Sequence, residues 1–169
     1  MDPYNVLIEA PKSSLDVVRK VISEVLLNLT PEILVVDSPW SPKEILQFFP
    51  EEMSLKCVNY NGTQIQRFLK FCDDFPNEWM MLVHTGKSLP SKPVERYKLF
   101  WSGATDSVFV PGTGGTFELS GHLLFLPYFA YRKMDSNLNL LENLFELCGG
   151  GVKIRGIQGL YFGRRKNGK

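Results

Sequence analysis

The chain has 169 residues and a mass of 19.3 kDa, with 44% hydrophobic, 12% aromatic and 22% charged residues and a net charge of +1. This composition fits a single globular domain over residues 1–169 and excludes an intrinsically disordered chain. No apolar run approaches the roughly 20 residues that a membrane-spanning helix needs, and the amino terminus lacks the layout of a secretory signal, so we expect a cytosolic, non-secreted protein.

Strands and helices alternate in the first part of the chain. Residues 4–9 alternate like a strand, and Ser13 can cap a helix over 14–29, in which apolar residues recur at helical spacing. Residues 33–36 form a short buried strand after Pro31. The order predicts a helix packed on neighbouring strands.

Two further helices are predicted before residue 75. Residues 41–44 combine a capping serine, a proline at the first helical position and a capping-box glutamate, which predicts a helix to about Phe49. Residues 53–59 can form a strand, and Asn61-Gly62 predicts a turn. The helix after this turn carries Ile65, Phe68, Leu69 and Cys72 on one side.

Strands and exposed loops dominate the next part. The predicted strands cover residues 79–85, 94–101, 116–126 and 128–132. Two loops, 86–93 and 102–115, contain the glycines and prolines that are typical of irregular segments.

The last predicted elements are a helix and two short strands. Asp135 or Ser136 can cap the helix, and the glycines at 149–151 end it. Strands over 152–154 and 160–163 follow. The apolar stripe of the helix is Leu138, Leu141, Leu144, Phe145 and Cys148. The whole order predicts an α+β fold, a mainly antiparallel β-sheet with helices packed on it.

No motif indicates a catalytic site. Residues 84–88 resemble the end of a P-loop, but Met81 stands where the first glycine is required, and we interpret the segment as a solvated turn. Residues 112–115 resemble a dinucleotide loop, yet Phe117 occupies the place of the last glycine. A G-x-S-x-G nucleophile elbow is absent. We therefore predict no enzyme, no catalytic residue, no metal and no cofactor.

The remaining polar and sulfur-containing residues fit ordinary structural roles. His84 and His122 have no second ligand at metal-binding spacing. The acidic pairs Glu51-Glu52 and Asp73-Asp74 are typical of solvated helix ends. Three cysteines leave an odd one unpaired, which favours a reducing compartment and buried thiols. They are Cys57, Cys72 and Cys148.

Charge is distributed unevenly and is most basic at the carboxyl terminus. Residues 1–84 carry 7 basic against 12 acidic side chains, whereas residues 85–169 carry 12 against 6, and residues 152–169 contain no acid. Clustered cations bind phosphate without precise spacing, and adjacent aromatic rings can stack on bases or enter headgroups. The predicted phosphate, RNA or lipid contacts are Lys153, Arg155, Tyr161, Phe162, Arg164, Arg165, Lys166 and Lys169.

Several segments together resemble the globular domain of rhabdovirus matrix proteins. The aromatic-containing strand 4–9 and the helix 14–29 occur in the same order, and residues 42–49 resemble a P-x-x-K-I-L-x-F segment. Residues 115–119, Gly-Thr-Phe-Glu-Leu, match a G-T-V-E-L strand, and 147–169 resembles the closing segment in its glycine and aromatic spacing. A Lys-rich amino-terminal arm and a P-P-x-Y segment do not occur in this sequence, which either suits the short matrix proteins of plant-infecting members or means that an arm is missing.

This resemblance implies a structural protein that self-associates, condenses the ribonucleoprotein and links it to the inner face of a membrane. Its partners would be copies of itself in an open head-to-tail contact, the nucleocapsid or RNA, and an anionic membrane surface. It would reside in the host cytoplasm and in the virion. Two alternatives stay open. One is a cytosolic adaptor or host-factor inhibitor that acts through loops 86–93 and 102–115. The other is an enzyme of unrecognised type, motivated by His84, His122 and the acidic pairs.

Overall fold

The computed structural model describes residues 3–85, 107–109, 123–156 and 159–162. The strands are β1 (Tyr4–Glu9), β2 (Ile33–Asp37), β3 (Leu55–Val58), β4 (Trp79–His84), β5 (Ser107–Phe109), β6 (Leu123–Pro127), β7 (Lys153–Gly156) and β8 (Gly159–Phe162). The helices are α1 (Leu15–Asn28), α2 (Pro42–Leu46), α3 (Gln64–Asp74), α4 (Tyr128–Tyr131) and α5 (Leu140–Gly149).

The described strands form one sheet in the order β3-β2-β1-β4-β6-β5-β7-β8. The first four strands of this order are parallel to one another, β6 is antiparallel to its neighbours β4 and β5, and β8 is antiparallel to β7. The prediction of a mainly antiparallel sheet is therefore wrong. Strands that are joined by a helix through a crossover run parallel, as β1 and β2 do on either side of α1.

Helices cover both faces of the sheet. On one face, α1 and α2 pack on alternate residues of β1 and β2, with Val18, Ile22 and Ile45 in that core. On the other face, α3, α4 and α5 form a second core that includes Phe68 and Leu144. Because both faces are buried, β1 is buried along its whole length, as parallel strands between helix layers are.

The sequence signals for helix starts are largely confirmed. Ser41 caps α2 with Pro42 in its first turn, and the Glu44 side chain completes a capping box. Ser14, not Ser13, caps α1. Thr63 caps α3 after a turn at Gly62, whose φ of +104° is a left-handed conformation that glycine adopts without a side-chain clash.

Three predictions between residues 128 and 149 are wrong. Residues 128–131 form a short helix instead of a strand, since a brief apolar run carries no decisive periodicity. Helix α5 begins after Asn139, which caps it with Glu142 in a capping box, and not after residue 135 or 136. The buried face of α5 is also shifted: Phe145 and Leu141 are exposed. Its buried residues are Leu140, Asn143, Leu144 and Leu147.

Some predicted features lie outside the described residues. These are the strand over 94–101, loop 86–93, most of loop 102–115, most of the strand 116–126 and the tail after residue 162. Within the parts that are described, no helix is both long and apolar enough to cross a bilayer.

Candidate functional site

The topology creates a switch point between β1 and β4. The chain leaves β1 through α1 on one face and reaches β2, whereas α3 returns over the other face to place β4 on the opposite side of β1. In open α/β sheets, ligands bind beside such a point, at the end where the parallel strands finish. We call the end at which β1, β2, β3 and β4 finish the carboxyl end.

A row of polar residues crosses the sheet at the carboxyl end. Glu9, the last residue of β1, pairs in register with Asp37 of β2 on one side and with His84 of β4 on the other. Glu9 and Asp37 are both buried. Since buried carboxylates require partners, the contacts that hold them define the local chemistry.

Asp37 is held by Arg67, which α3 presents from the covering helix layer. One guanidinium nitrogen of Arg67 donates to Asp37 Oδ1 at 3.0 Å, and Nε lies 2.8 Å from Oδ2, a charge contact without hydrogen-bond alignment. The backbone N–H of Tyr60 also donates to Oδ1, at 2.9 Å. The pair therefore fixes the loop between β3 and α3 against β2.

Glu9 is held by the first residue of the same helix. Gln64 Nε2 donates to Glu9 Oε2 at 2.8 Å. The preceding cap positions Gln64: the Thr63 hydroxyl accepts a hydrogen bond from the Gln66 backbone N–H, and the Thr63 N–H donates to Gln66 Oε1. Helix α3 thus supplies partners to two neighbouring carboxylates in the row.

On the other face, the loop that follows β1 reaches β4. Ser13 Oγ and Thr85 Oγ1 lie 2.8 Å apart in a hydrogen bond, which joins this loop to the residue after β4. Trp40 Nε1 donates to the Ser13 carbonyl at 2.9 Å. Lys12, in the same loop, is exposed. The hydroxyls of Ser13 and Thr85, the exposed Lys12 and the start of α1 therefore lie beside the switch point.

Tyr60 and the three cysteines favour their neutral forms, because burial raises the pKa of each. Burial, together with the hydrogen bond to Asp74, raises the pKa of Tyr60 well above its usual range. Burial also raises the pKa of the Cys72 thiol strongly, and those of Cys57 and Cys148 less completely because these two are half-buried. Cys72 fits the predicted buried thiol, and none of the three carries the character of a reactive thiolate.

The predicted phosphate-binding residues lie far along the sheet order from the switch point. Lys153 and Arg155 are on β7 and Tyr161 and Phe162 on β8, two strands that pair antiparallel at the edge opposite β3. The other four, Arg164, Arg165, Lys166 and Lys169, lie outside the described residues. Contact of these eight residues with phosphate stays a prediction.

The residues behind the enzyme alternative are distributed differently. Glu51 and Glu52 are exposed in the turn after α2, and Asp74 lies 3.3 Å from Lys70 while it accepts a hydrogen bond from Tyr60. His122 lies outside the described residues. Among those of them that the structure describes, His84 alone lies at the switch point, where it ends β4 next to Glu9 of β1.

Sequence reasoning missed the row at the carboxyl end. A signal was present, because Glu9 and Asp37 each end an apolar strand with a charge. The segment starting at His84 was interpreted as a solvated turn, yet β4 ends at His84, next to β1. Without the parallel pairing, nothing in the sequence joins positions 9, 37 and 84.

The fold is shared with solved glycosyltransferases and cytidylyltransferases. A mannosyltransferase from Pyrobaculum calidifontis, solved with GDP-Man and Mn²⁺, has a TM-score of 0.71 at 9% identity and covers 91% of this chain and 54% of that chain. A 4-diphosphocytidyl-2C-methyl-D-erythritol synthase has a TM-score of 0.65 at 16% identity, over 94% and 90%. A Mycobacterium tuberculosis glucosyl-3-phosphoglycerate synthase, solved with Mn²⁺ and UDP, has a TM-score of 0.58 at 9% identity and covers 79% of this chain and 59% of that chain.

These similarities establish the fold. The chain spans about half the length of the mannosyltransferase but most of the length of the cytidylyl synthase. No family model matches the sequence. No curated protein matches it either.

The comparison corrects the identification as a matrix protein. The similar solved chains described above are transferases of sugars and nucleotides, so the predicted rhabdovirus matrix protein, its structural function and the adaptor alternative are wrong. The prediction that the chain is not an enzyme is wrong on the same comparison. The single domain, the partners (self-association, nucleocapsid or RNA, an anionic membrane) and the location in cytoplasm and virion stay predictions.

Two of the similar structures were solved with Mn²⁺, which raises the question whether this chain can hold that ion. Among its described residues, no group of three or more His, Cys, Asp or Glu side chains is arranged to bind a metal. Glu9 is bound by Gln64 and Asp37 by Arg67. The carboxylates described at the carboxyl end therefore do not fit a metal centre, because Gln64 and Arg67 already bind them.

Proposed function

We propose that the chain is a nucleotide-binding protein of the transferase class, and that a nucleoside diphosphate, free or joined to a sugar, binds at the carboxyl end between β1 and β4. The observation that carries the proposal is the switch point itself, with the polar row Asp37-Glu9-His84 across three parallel strands. Two of the similar structures were solved with GDP-Man or UDP bound.

The loop after β1 is the proposed phosphate contact. Its backbone leads into α1, a helix of 14 residues whose amino terminus favours negative charge. Lys12 supplies a positive charge and Ser13 and Thr85 supply hydroxyl groups that can donate to phosphate oxygens. The buried carboxylates serve a different purpose: through Gln64 and Arg67 they hold α3 in place beside the polar row.

Calorimetric titration with GDP, UDP and CDP tests the proposal. We expect Lys12→Ala to weaken binding about tenfold, since a charge-assisted hydrogen bond is worth roughly 1.5–3 kcal/mol. Lys133→Ala is the matched control, because Lys133 is also exposed but follows α4, near the end of the sheet where β4 begins.

Two results would reject the proposal. One is the absence of binding by all three nucleotides at millimolar concentration. The other is an equal loss of affinity in Lys12→Ala and Lys133→Ala, which would indicate a general charge effect instead of a site at the carboxyl end.

A further inference from the structure

A separate cleft opens between the start of α3 and the segment that leads into α5. Its volume is about 360 Å³, within the roughly 300–1,000 Å³ of small-molecule sites. Hydroxyl and amide side chains line its walls, among them Gln64, Ser136 and Asn137, and the apolar residues Ile65 and Leu140 belong to its lining as well. The cleft thus combines neutral polar groups with an apolar surface.

The topology puts this cleft at the carboxyl end. Helix α3 begins there, because it follows β3, which is parallel to β2. Helix α5 begins there too, because it runs down to β7, and β7 has the same direction as β4 through the pairings of β6 and β5. The starts of both helices therefore face the end of the sheet at which the polar row lies.

Gln64 joins the cleft to the polar row. It lines the cleft, and its Nε2 donates to Glu9 Oε2 at 2.8 Å. A molecule in the cleft is therefore one side chain away from the carboxylate at the switch point. This adjacency is what a second substrate beside a bound nucleotide requires.

Helix amino termini favour anions, but at this cleft two carboxylates of the protein already supply that negative charge. Glu142 lines the cleft with its carboxylate bound to Asn139 N–H at 3.0 Å, and Glu9 lies behind Gln64. The described lining includes no lysine or arginine. Hydroxyls and amides both donate and accept hydrogen bonds, which matches the hydroxyl groups of a sugar, and apolar side chains can pack on its C–H face.

We infer that this cleft binds the acceptor, and that the acceptor is a neutral polyhydroxyl compound of the saccharide class. The inference rests on the proposed function, because only a transferase needs an acceptor beside its nucleotide. It assigns Gln64 and Asn137 as hydrogen-bonding residues for the acceptor and Glu142 as the group that discourages phosphorylated sugars.

Two-dimensional NMR of the ¹⁵N-labelled full chain tests the inference with the methyl glycosides of mannose, glucose and galactose, with and without the nucleotide. We expect at least one glycoside to shift the amide signals of 63–65 and 136–142. Asn137→Ala should weaken its affinity about fivefold, the effect of one lost hydrogen bond. Gln47→Ala, an exposed amide on the α2 side, should leave it unchanged.

A blocking variant supports the assignment independently of hydrogen bonds. Ser136 is exposed, so Ser136→Phe fills the cleft without entering the core, and it should abolish the glycoside shifts while nucleotide binding persists. Nucleotide binding with no glycoside shift in the cleft would overturn this inference alone. Preference for mannose 6-phosphate would overturn it as well, whereas loss of nucleotide binding in the unaltered chain would reject the proposed function.

Discussion

The two ends of the parallel strands use polar side chains in opposite ways. At the amino end, Asn5 of β1 is buried, and its side chain hydrogen-bonds to the backbone. Its Nδ2 donates to the Phe75 carbonyl at 2.9 Å, and its Oδ1 accepts from Ile33 N–H at 3.1 Å. At the carboxyl end, the same strand finishes with the charged Glu9, beside Asp37.

The difference shows where the fold tolerates the cost of charge. A neutral amide with every group hydrogen-bonded stabilises a strand junction at little cost, whereas a buried carboxylate loses much of its hydration. Asn5 and Asn77 make the amino end a structural junction of neutral amides. At the carboxyl end, burial of Glu9 and Asp37 lowers stability, and packing does not require it, which favours a function there.

Removing the partner of a buried carboxylate is expected to have the largest effect on stability. Arg67→Met keeps the aliphatic stem but leaves the fully buried Asp37 without its cation, so we expect a loss of about 3 kcal/mol in the free energy of unfolding. Urea unfolding followed by circular dichroism measures this loss.

A double-mutant cycle sharpens this result. Asp37→Asn combined with Arg67→Met removes both charges, and we expect part of the stability to return. If the double variant were less stable than the sum of the two single losses, the buried pair would not be the reason for the effect.

The amino end should respond in stability but not in binding. Asn5→Ala leaves the Ile33 N–H and the Phe75 carbonyl unpaired, and we expect a loss of about 2 kcal/mol in the free energy of unfolding. Nucleotide affinity should stay the same. Asn59→Ala, an exposed asparagine, should change stability by less than about 0.5 kcal/mol. A nucleotide affinity that falls with Asn5→Ala would break the division between the two ends.

A smaller, pH-dependent effect is expected at Tyr60, which links β3 to α3. Its raised pKa means that the folded protein favours the neutral phenol, which donates to Asp74 Oδ2 at 2.9 Å. Stability from this group is complete below pH 10, the ordinary value for tyrosine, and declines as the pH rises through the raised pKa. Tyr60→Phe should cost about 1 kcal/mol at neutral pH and remove this decline. Unfolding curves at pH 8, 10 and 11 compare the two proteins.

Local signals in the sequence predicted individual elements better than their arrangement. Residues 41–44 carry every feature of a helix start, and the structure confirms a capping box there. Strand direction was predicted wrongly, because it depends on crossovers that no local pattern encodes. The short apolar run 128–131 fits a strand or a helix equally, and the structure shows a helix with Ala130 and Tyr131 buried.

The candidate site was less predictable than the fold because its contacts are distant in sequence. Gln64 meets Glu9 across 55 positions and Arg67 meets Asp37 across 30. The sequence predicted a site in the basic residues 152–169 instead, because clustering along the chain is visible in a sequence and clustering in space is not. The charge that ends each apolar strand was the usable signal.

The central claim is that the carboxyl end of the parallel strands binds a nucleotide. Titration of the ¹⁵N-labelled chain with GDP or UDP, followed by amide NMR signals, tests it most directly. We predict that the shifts concentrate in residues 10–14 and 84–85, at the switch point, and leave residues 30–33 and 75–79 at the amino end unchanged. Shifts confined to the amino end or to β7 and β8 would contradict the claim.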